Sequence, residues 1–590
     1  MNNEYRFTPS YRFGALSNDV IQSERVKTYS KYWSWNNVLN YTRTLNEVHS
    51  VNAMLGQEMQ ESQWEYLYGY RSGFLNNAAH DLKAGDGTTS QANGNSGQHA
   101  MMSYFGRIFY SYDDRYMLTT TLRHDGSSNF SEDNRWGWFP SAAVAWRISN
   151  ESFLRDNLIV SNLRLRAGWG KVGNQNVPSY AYTSVMSSVT TVWGTGQLAG
   201  NTANPALQWE TTQSSNLGLD VSLFQNRVEF IADVYHKKTD NLLLRLPLPA
   251  YMGSQGQGAT TPPWANVGSL ENKGIELTLN TVNVDRGGFQ WRSNLVFSLN
   301  RNKVVELDTE TSTLDVTVQE GSEVTPVTRT VVGKPIGQFY GYKVIGRFNK
   351  GTDFYYKDAN GQVKEVARPE GIGIAEWGVW IGDYIFEDVD GDGVINDSDR
   401  TFIGNPEPKF TFGIGNSFAY KGFDLSVQLG GSFGNDVINY QRRWLENPRE
   451  NHNLLVSARD YARLGVVDAN GPENDYRNLE VVGGADDMYR LSASSSNANN
   501  RMSNRYVEDG SYLRIQNISL GYNLPRRWVE QIGMENAKIY ANLQNVYTWT
   551  KYSGYDPEVG AHQQNALLSG VDNARYPSPR IYTLGLNLTF

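Results

Sequence analysis

The chain of 590 residues contains no cysteine, so no disulfide braces it and no thiolate serves as a metal ligand or nucleophile. It holds no run of about 18 apolar residues, which excludes a membrane-spanning helix. No basic stripe stands out and the net charge is -8, which argues against a nucleic-acid partner. Proline is scarce, 19 residues against 56 glycines, a balance suited to many turns and close strand packing. The opening residues, Met1-Asn2-Asn3-Glu4-Tyr5-Arg6, carry no signal-peptide pattern. For an exported protein, this suggests that the chain does not begin where the protein begins.

What is present alternates. The last nine residues place Tyr582, Leu584, Leu586, Leu588 and Phe590 on one side and Thr583, Gly585, Asn587 and Thr589 on the other. A strand shows one face every second residue, and a terminal strand with an apolar outer face and a polar inner face reads as an outer-membrane barrel. Similar runs are Tyr116–Leu122, Leu217–Leu223, Val228–Val234, Ile275–Leu279, Leu295–Leu299, Phe423–Leu429 and Ile539–Leu543. The register slips between Ile515 and Ile518, which reads as a bulge. Mean hydropathy is -0.53, and barrel strands are only half apolar, so a hydrophilic average fits. Aromatics make up 13% of the chain, with 35 Tyr and 16 Trp, a surplus suited to interfacial girdles or carbohydrate stacking.

The connections alternate as well. Short turns at 113–114, 224–226, 285–288 and 420–422 are separated by long polar stretches at 73–100, 172–205, 241–267, 304–408, 435–508 and 550–579. Short periplasmic turns and long extracellular loops are the outer-membrane arrangement. Two short links, around Phe153–Asn162 and Pro525–Gly533, read as helical. The fold expected is all-β, an antiparallel transmembrane β-barrel over 1–590 with about sixteen strands, the first near 2–15 and 29–43. No repeat of about 40–50 residues appears, which sets aside a soluble propeller.

One segment carries metal chemistry. Asp388, Asp390 and Asp392 stand at positions 1, 3 and 5 of a calcium loop, Gly393 at 6, Val394 at 7, Asn396 at 9 and Asp399 at 12. That spacing wraps hard oxygens around one point. Position 12 is Asp rather than Glu, and the flanks, Tyr384–Phe386 and Thr401–Ile403, read as strands. A metal-free, Asx-rich turn is the alternative. Gly430–Gly434 matches a nucleophile-elbow string but ends a strand with no helix behind it, and the seven histidines show no metal or triad spacing. No enzymatic site is expected. Trp193, Tyr251, Trp264, Trp377, Trp380 and Trp444 lie in or beside long loops, where rings stack on sugars or pack loops together; none is assigned to a ligand.

Several strings together resemble the SusC/RagA-type TonB-linked outer-membrane proteins, the nutrient importers of Bacteroidota. They are Arg123–Ser128, Phe139–Ser141 with Ala145–Ile148, Leu163–Gly168, Asn204-Pro205 with Trp209–Thr211, Gly333–Pro335 with Phe339–Gly341, Ile403–Phe410 running into Tyr420–Leu425, Glu508–Arg514, and Tyr552–Glu558. The resemblance implies a barrel of about 22 strands with a plugged lumen, of which this chain is the C-terminal barrel portion, without signal peptide, plug or TonB-contacting segment. It implies a SusD-like surface lipoprotein as lid, the TonB complex as energy source, outer-membrane lipid around the wall, and the barrel-assembly machinery as reader of the last strand. The function implied is import of an oligosaccharide or peptide across the outer membrane. A passive pore or surface adhesin without a plug is the alternative, and a secreted calcium-stabilised binding protein a third reading. A sheet with two unpaired edges is costly in lipid, so the isolated chain is expected not to insert as a stable barrel.

Overall fold

The computed structural model describes residues 2–14, 16–245, 260–307, 313–320, 323–447, 453–492 and 496–590. Sixteen strands form one antiparallel sheet in which neighbours in sequence are neighbours in space. They are β1 (Asn2–Thr8), β2 (Gln22–Leu45), β3 (His49–Ser72), β4 (Gln91–Tyr112), β5 (Tyr116–Ser127), β6 (Trp136–Arg147), β7 (Val160–Asn174) and β8 (Glu210–Leu223). The series continues with β9 (Val228–Asp240), β10 (Ser269–Arg286), β11 (Phe289–Glu306), β12 (Phe410–Tyr420), β13 (Phe423–Phe433), β14 (Tyr512–Asn523), β15 (Asn536–Thr550) and β16 (Ile581–Thr589). The strand count expected from periodicity is the observed one. No described helix is long and apolar enough to cross a membrane.

Every connection of two to four residues falls at one end of the sheet. The β10–β11 turn is only Gly287-Gly288, with φ of +64° and +77°, the left-handed pair that a tight hairpin demands and that glycine adopts without steric cost. The opposite end carries 307–409, 434–511 and 551–580. The linker before β14's partner holds the short helix Arg526–Val529, as the sequence predicts. The other expected helix is absent: a 3₁₀ turn covers Ile148–Asn150 and β7 already begins at Val160. Asn157 explains this, since its side chain accepts the N–H of Ile159 and of Val160 and turns the chain instead of coiling it.

The chain forms two compact units. In the first (Met1–Ser152, Arg164–Leu217, Lys237–Ser269), β2, β3 and β4 run for 24, 24 and 22 residues. A membrane strand needs about 9–11, so their upper halves stand clear of the bilayer. The first strands therefore differ from the expected 2–15 and 29–43. Residues 91–100, expected in a loop, are also strand, because in water both faces can be polar and no alternation marks them. On the outer face of β5, Tyr116, Leu118 and Leu122 are exposed. The rings of His49, Tyr112, Tyr116 and Trp146 form a row at the short-turn end, with Tyr112–Tyr116 and Tyr116–Trp146 both 6.4 Å apart. A second row, Tyr104, Trp136, His124 and Trp138, lies higher. From Tyr116 to His124 is roughly 27 Å of strand, about 20 Å of height at the usual tilt of about 35–45°, close to the apolar band of about 25 Å between aromatic girdles.

The second unit (Phe153–Leu163, Gly218–His236, Leu270–Phe590) repeats this pattern. Phe289–Tyr420 and Phe423–Tyr522 contacts mark the lower girdle, Phe410–Phe433 and Tyr547–Trp549 the upper. The bulge read from sequence is at Gln516: Ile515 pairs with Tyr547 and Asn517 with Gln544. Strand β16 pairs with β15, Leu586 opposite Ile539 and Leu584 opposite Ala541, and Tyr582, Leu584, Leu586, Leu588 and Phe590 are all exposed. The long loops are not structureless. They enclose apolar clusters around Phe339, Tyr440 and Tyr506, around Phe348, Phe354 and Trp380, and around Tyr342, Tyr384 and Phe386. At the heart of this body Asp383, fully buried, accepts from Arg490 Nε at 2.8 Å and from Asn499 Nδ2 at 2.9 Å.

The face assignment predicts that Leu122→Arg lowers the stability of the bilayer-inserted protein by roughly 2–4 kcal/mol, while Thr119→Arg on the opposite face is near neutral. Unfolding in urea-titrated liposomes checks this; equal costs at the two positions would reverse the assignment.

Candidate functional site

The residues that single this chain out in sequence act as clasps where loops leave strands. Arg123 Nε donates to Asp125 at 2.8 Å and its Nη2 to Ser103 Oγ at 2.9 Å. Trp209 Nε1 donates to the Arg135 carbonyl at 2.9 Å, and Glu210 accepts Asn174 Nδ2 and the Leu243 N–H, each at 3.0 Å. Asn405 N–H donates to Asp436 at 2.8 Å, and Glu407 accepts Asn300 Nδ2 at 3.0 Å. Burial raises the carboxyl groups of both Glu407 and Asp436 above their usual range. Arg514 bridges to Asp556 and, at 2.8 Å, to Glu558. The strings Glu508–Arg514 and Tyr552–Glu558 are thus two halves of one contact.

Beside that contact is a cavity of about 540 Å³ in the loop body, lined by Asn439, Arg442, Leu445, Leu455, Glu508 and Tyr555 among others. Arg442 donates to Glu446 at 3.0 Å and to Glu508 at 2.8 Å. Glu508 also accepts Asn439 Nδ2, Ser553 Oγ and the Ser553 N–H at 3.1, 2.8 and 2.7 Å. Burial opposes ionisation of Glu508, but the Ser553 bonds and Arg442 outweigh it and hold the carboxyl below its usual value. Asp556 is likewise depressed: burial pushes it up, and the Glu558 N–H and Arg514 pull it further down. Asn439 Oδ1 is buried without a partner. Sequence reasoning did not find this network, because the partners are far apart in the chain and no periodicity links them.

A second cavity, about 380 Å³, lies at the short-turn end of the second unit. It is polar: Asn294 Nδ2 donates to Asn280 Oδ1 at 2.6 Å, and Asn280 Nδ2 to Glu229 at 2.9 Å. These side chains face away from the lipid-facing rings of Trp291 and Phe418, as a hydrated barrel interior requires.

In the aspartate loop, Asp388, Asp390 and Asp392 are brought together, one carboxylate oxygen of each within 4.8 Å of the others. This is the one such cluster among the described residues. Asp388 accepts the N–H groups of Gly391 and Gly393 at 2.8 and 2.9 Å, and Asp392 that of Val394 at 2.8 Å. Gly393 has φ +86°. Asp399 is fully buried beneath and accepts the Val389 and Asn396 N–H groups at 2.8 and 2.7 Å. The Asn396 side chain caps Ser398. A set of three convergent carboxylates on a loop already folded by its own side chains suits a hard cation.

Of the loop aromatics, Trp380 is buried, and Trp264 and Trp444 pack against apolar clusters. Trp193 and Trp377 are exposed. Tyr251 and His452 lie outside the described residues. Ser432 of the elbow-like string sits on β13 and donates to Asn435 Oδ1 at 2.8 Å, not to a histidine.

A family model for TonB dependent receptor-like β-barrels matches residues 2–385. TonB-dependent receptor P3 of Formosa agariphila is 34% identical over 94% of this chain and 52% of its own length. TonB-dependent receptor SusC of Bacteroides thetaiotaomicron is 29% identical over 96% of this chain and 50% of its own length. The chain spans about half the length of the relatives it matches. Among solved structures, the RagAB peptide transporter shares the fold, with a TM-score of 0.79 at 22% identity, covering 100% of this chain and 58% of that one.

The two depressed carboxyls set a pH window. A group whose folded value lies below its unfolded one stabilises fully above the unfolded value, about 4–4.5 for these side chains, and loses that contribution as pH falls through the folded value. Glu407 and Asp436, raised by burial, act in the opposite sense, so the readout must be local. Exchange protection of the Ser553 amide is expected to hold from neutral pH to about 4.5 and to fall below it. Loss of protection already above about pH 5.5 would contradict the assignment.

Proposed function

Because the chain belongs to the TonB-dependent receptors, as an outer-membrane β-barrel of the SusC/RagA type, we propose that the protein imports a nutrient too large for passive porins, an oligosaccharide or a peptide. In this reading the barrel is the wall of the path and the loop body over 307–409, 434–511 and 551–580 its outer face. A plug gates the lumen, the TonB complex supplies energy, and a SusD-like surface lipoprotein closes the outer side. The work is transport and not catalysis. The observation that carries the reading is the combination of lipid-facing aromatic bands, a polar inner face and a folded body at the long-loop end. RagAB is a peptide transporter, and its likeness to this chain is one of fold.

Deleting the gene is expected to abolish growth on one class of oligosaccharide or peptide as sole nutrient, and deleting TonB to do the same. Growth that survives loss of TonB would make the protein a passive pore; growth that survives loss of the gene on every class would remove the importer reading.

We also propose that the aspartate loop takes a calcium ion, held by Asp388, Asp390, Asp392 and the Val394 carbonyl, with Asn396 and Asp399 closing the loop beneath. Calcium would neutralise carboxylates that otherwise repel and so stiffen the approach to β12. Millimolar calcium is expected to slow proteolysis between 384 and 403 about ten-fold. The Asp388→Asn/Asp392→Asn variant should show no calcium response, and a response in that variant equal to the parent's would overturn the assignment.

A further inference from the structure

The upper half of β3 places Trp64, Tyr66, Tyr68 and Tyr70 on one face, the face that carries Arg123 and Asp125 lower down. At about 3.3 Å per residue the four rings span roughly 20 Å. Trp64 and Tyr66 are nearly parallel, 6.4 Å between centroids and 10° between planes. The Trp64 ring lies over Gly97, where a Cβ would meet Nε1 at 2.6 Å. Trp64 is 40% exposed, and the three tyrosines are part-exposed.

What flanks the first three rings is uncharged. Across to β2 stand Ser30, Thr28 and Val26, opposite Trp64, Tyr66 and Tyr68, and Glu24 stands opposite Tyr70. Across to β4 stand Asn95, Asn93 and Gln91, opposite Tyr66, Tyr68 and Tyr70. Asn93 and Asn95 turn their carbonyl oxygens onto their own strand, accepting the N–H of Gly94 and of Ser96 at 2.8 and 2.9 Å. The charges nearby, Arg6 with Glu4 and Glu24, pair among themselves at 3.6 Å.

The opposite face is covered by the chain itself only at its top, level with Arg71. Phe7 packs against Phe74 and His80, with centroids 6.2 and 4.1 Å away, and the Ser23 hydroxyl donates to the His80 carbonyl at 3.0 Å. The loop at 73–90 thus closes over the top of that face, beside Arg71, and among the described residues nothing closes over Trp64, which stays 40% exposed on the ladder.

We propose that this ladder is a binding track for a linear, neutral oligosaccharide. It rests on the importer reading and names the substrate class within it. Sugar rings present flat C–H faces that stack on aromatic rings and equatorial hydroxyls that meet amides and hydroxyls beside them. A peptide bound by strand addition needs a free sheet edge, and β3 has none here, being paired with β2 on one side and β4 on the other. A charged ligand would need an unpaired counter-charge on the face, and the ion pairs above are internal.

The test uses the whole protein purified from outer membranes, with heat-modifiable gel mobility as the check that the barrel is intact. A printed array of neutral tetra- to decasaccharides is the probe, followed by calorimetry on the best-retained glycan. At least one glycan should be retained, Trp64→Ala, Tyr66→Ala and Tyr68→Ala should each weaken it about three- to ten-fold, and Tyr66→Phe should leave it unchanged. Retention of no glycan, or indifference of glycan affinity to the triple variant, overturns the track. Loss of co-purifying lipoprotein with glycan affinity intact also overturns it, and makes the ladder a protein interface. Uptake of a peptide cargo that the triple variant leaves intact would refute the track and spare the importer reading; glycan binding without TonB-dependent uptake would do the reverse.

Discussion

In hydrocarbon a backbone N–H or carbonyl without a partner costs several kcal/mol, and that cost organises the sheet. Each strand must give its hydrogen bonds to the next in sequence, because an antiparallel meander is the arrangement in which short turns suffice. Once pairing is fixed, side-chain parity follows, and with it which residues meet lipid. The bulge at Gln516 shows how tightly this binds. Ile515 and Ile518 sit three apart, so in an unbroken strand they would point to opposite sides. Skipping Gln516 on β14, matched by Asn545 and Val546 on β15, returns both to the lipid side. A slip elsewhere in the pair would turn every apolar residue of the strand inward.

Beyond the bilayer, water satisfies the backbone and the constraint relaxes. The loops then need cores of their own, and they have them, pinned by buried charge pairs such as Asp383–Arg490 and Arg514–Asp556. Such pairs add little net stability, since desolvation offsets attraction, yet breaking one strands a buried charge at a cost of about 3–5 kcal/mol. Their effect is to make wrong packing expensive, which is what loops with few periodic contacts need in order to hold one shape.

The division between legible and illegible segments follows the same boundary. The membrane strands were readable because lipid on one side and water on the other impose a period of two. The upper parts of β2, β3 and β4 were misjudged because water lies on both sides. The loop cores gave no signal, since Phe339, Tyr440 and Tyr506 come together from three separate segments. Trp264, Trp380 and Trp444 were visible as loop aromatics, but composition does not distinguish a ring that packs from one that binds. The strings of the family resemblance fared better. Glu508–Arg514 and Tyr552–Glu558 read as isolated words in sequence and become intelligible as the two sides of an ion-paired clasp.

Aromatic rings on a water-facing strand have a cost that the lipid-facing girdles escape. A Tyr or Trp left exposed forfeits part of the 1.5–3 kcal/mol or so that burying a large side chain returns, and a row of them on a flat sheet invites association. At the top of the other face of the same strands the chain limits that exposure, where Phe7, Phe74 and His80 close over one another. It does not do so for Trp64, Tyr66, Tyr68 and Tyr70, although the loop at 73–90 begins only three residues beyond Tyr70. Ladder and cover are therefore separate features of one sheet: the loop closes over Phe7 and Phe74 at the top of one face, and on the other Trp64 keeps its ring 40% exposed with Ser30 opposite it on β2.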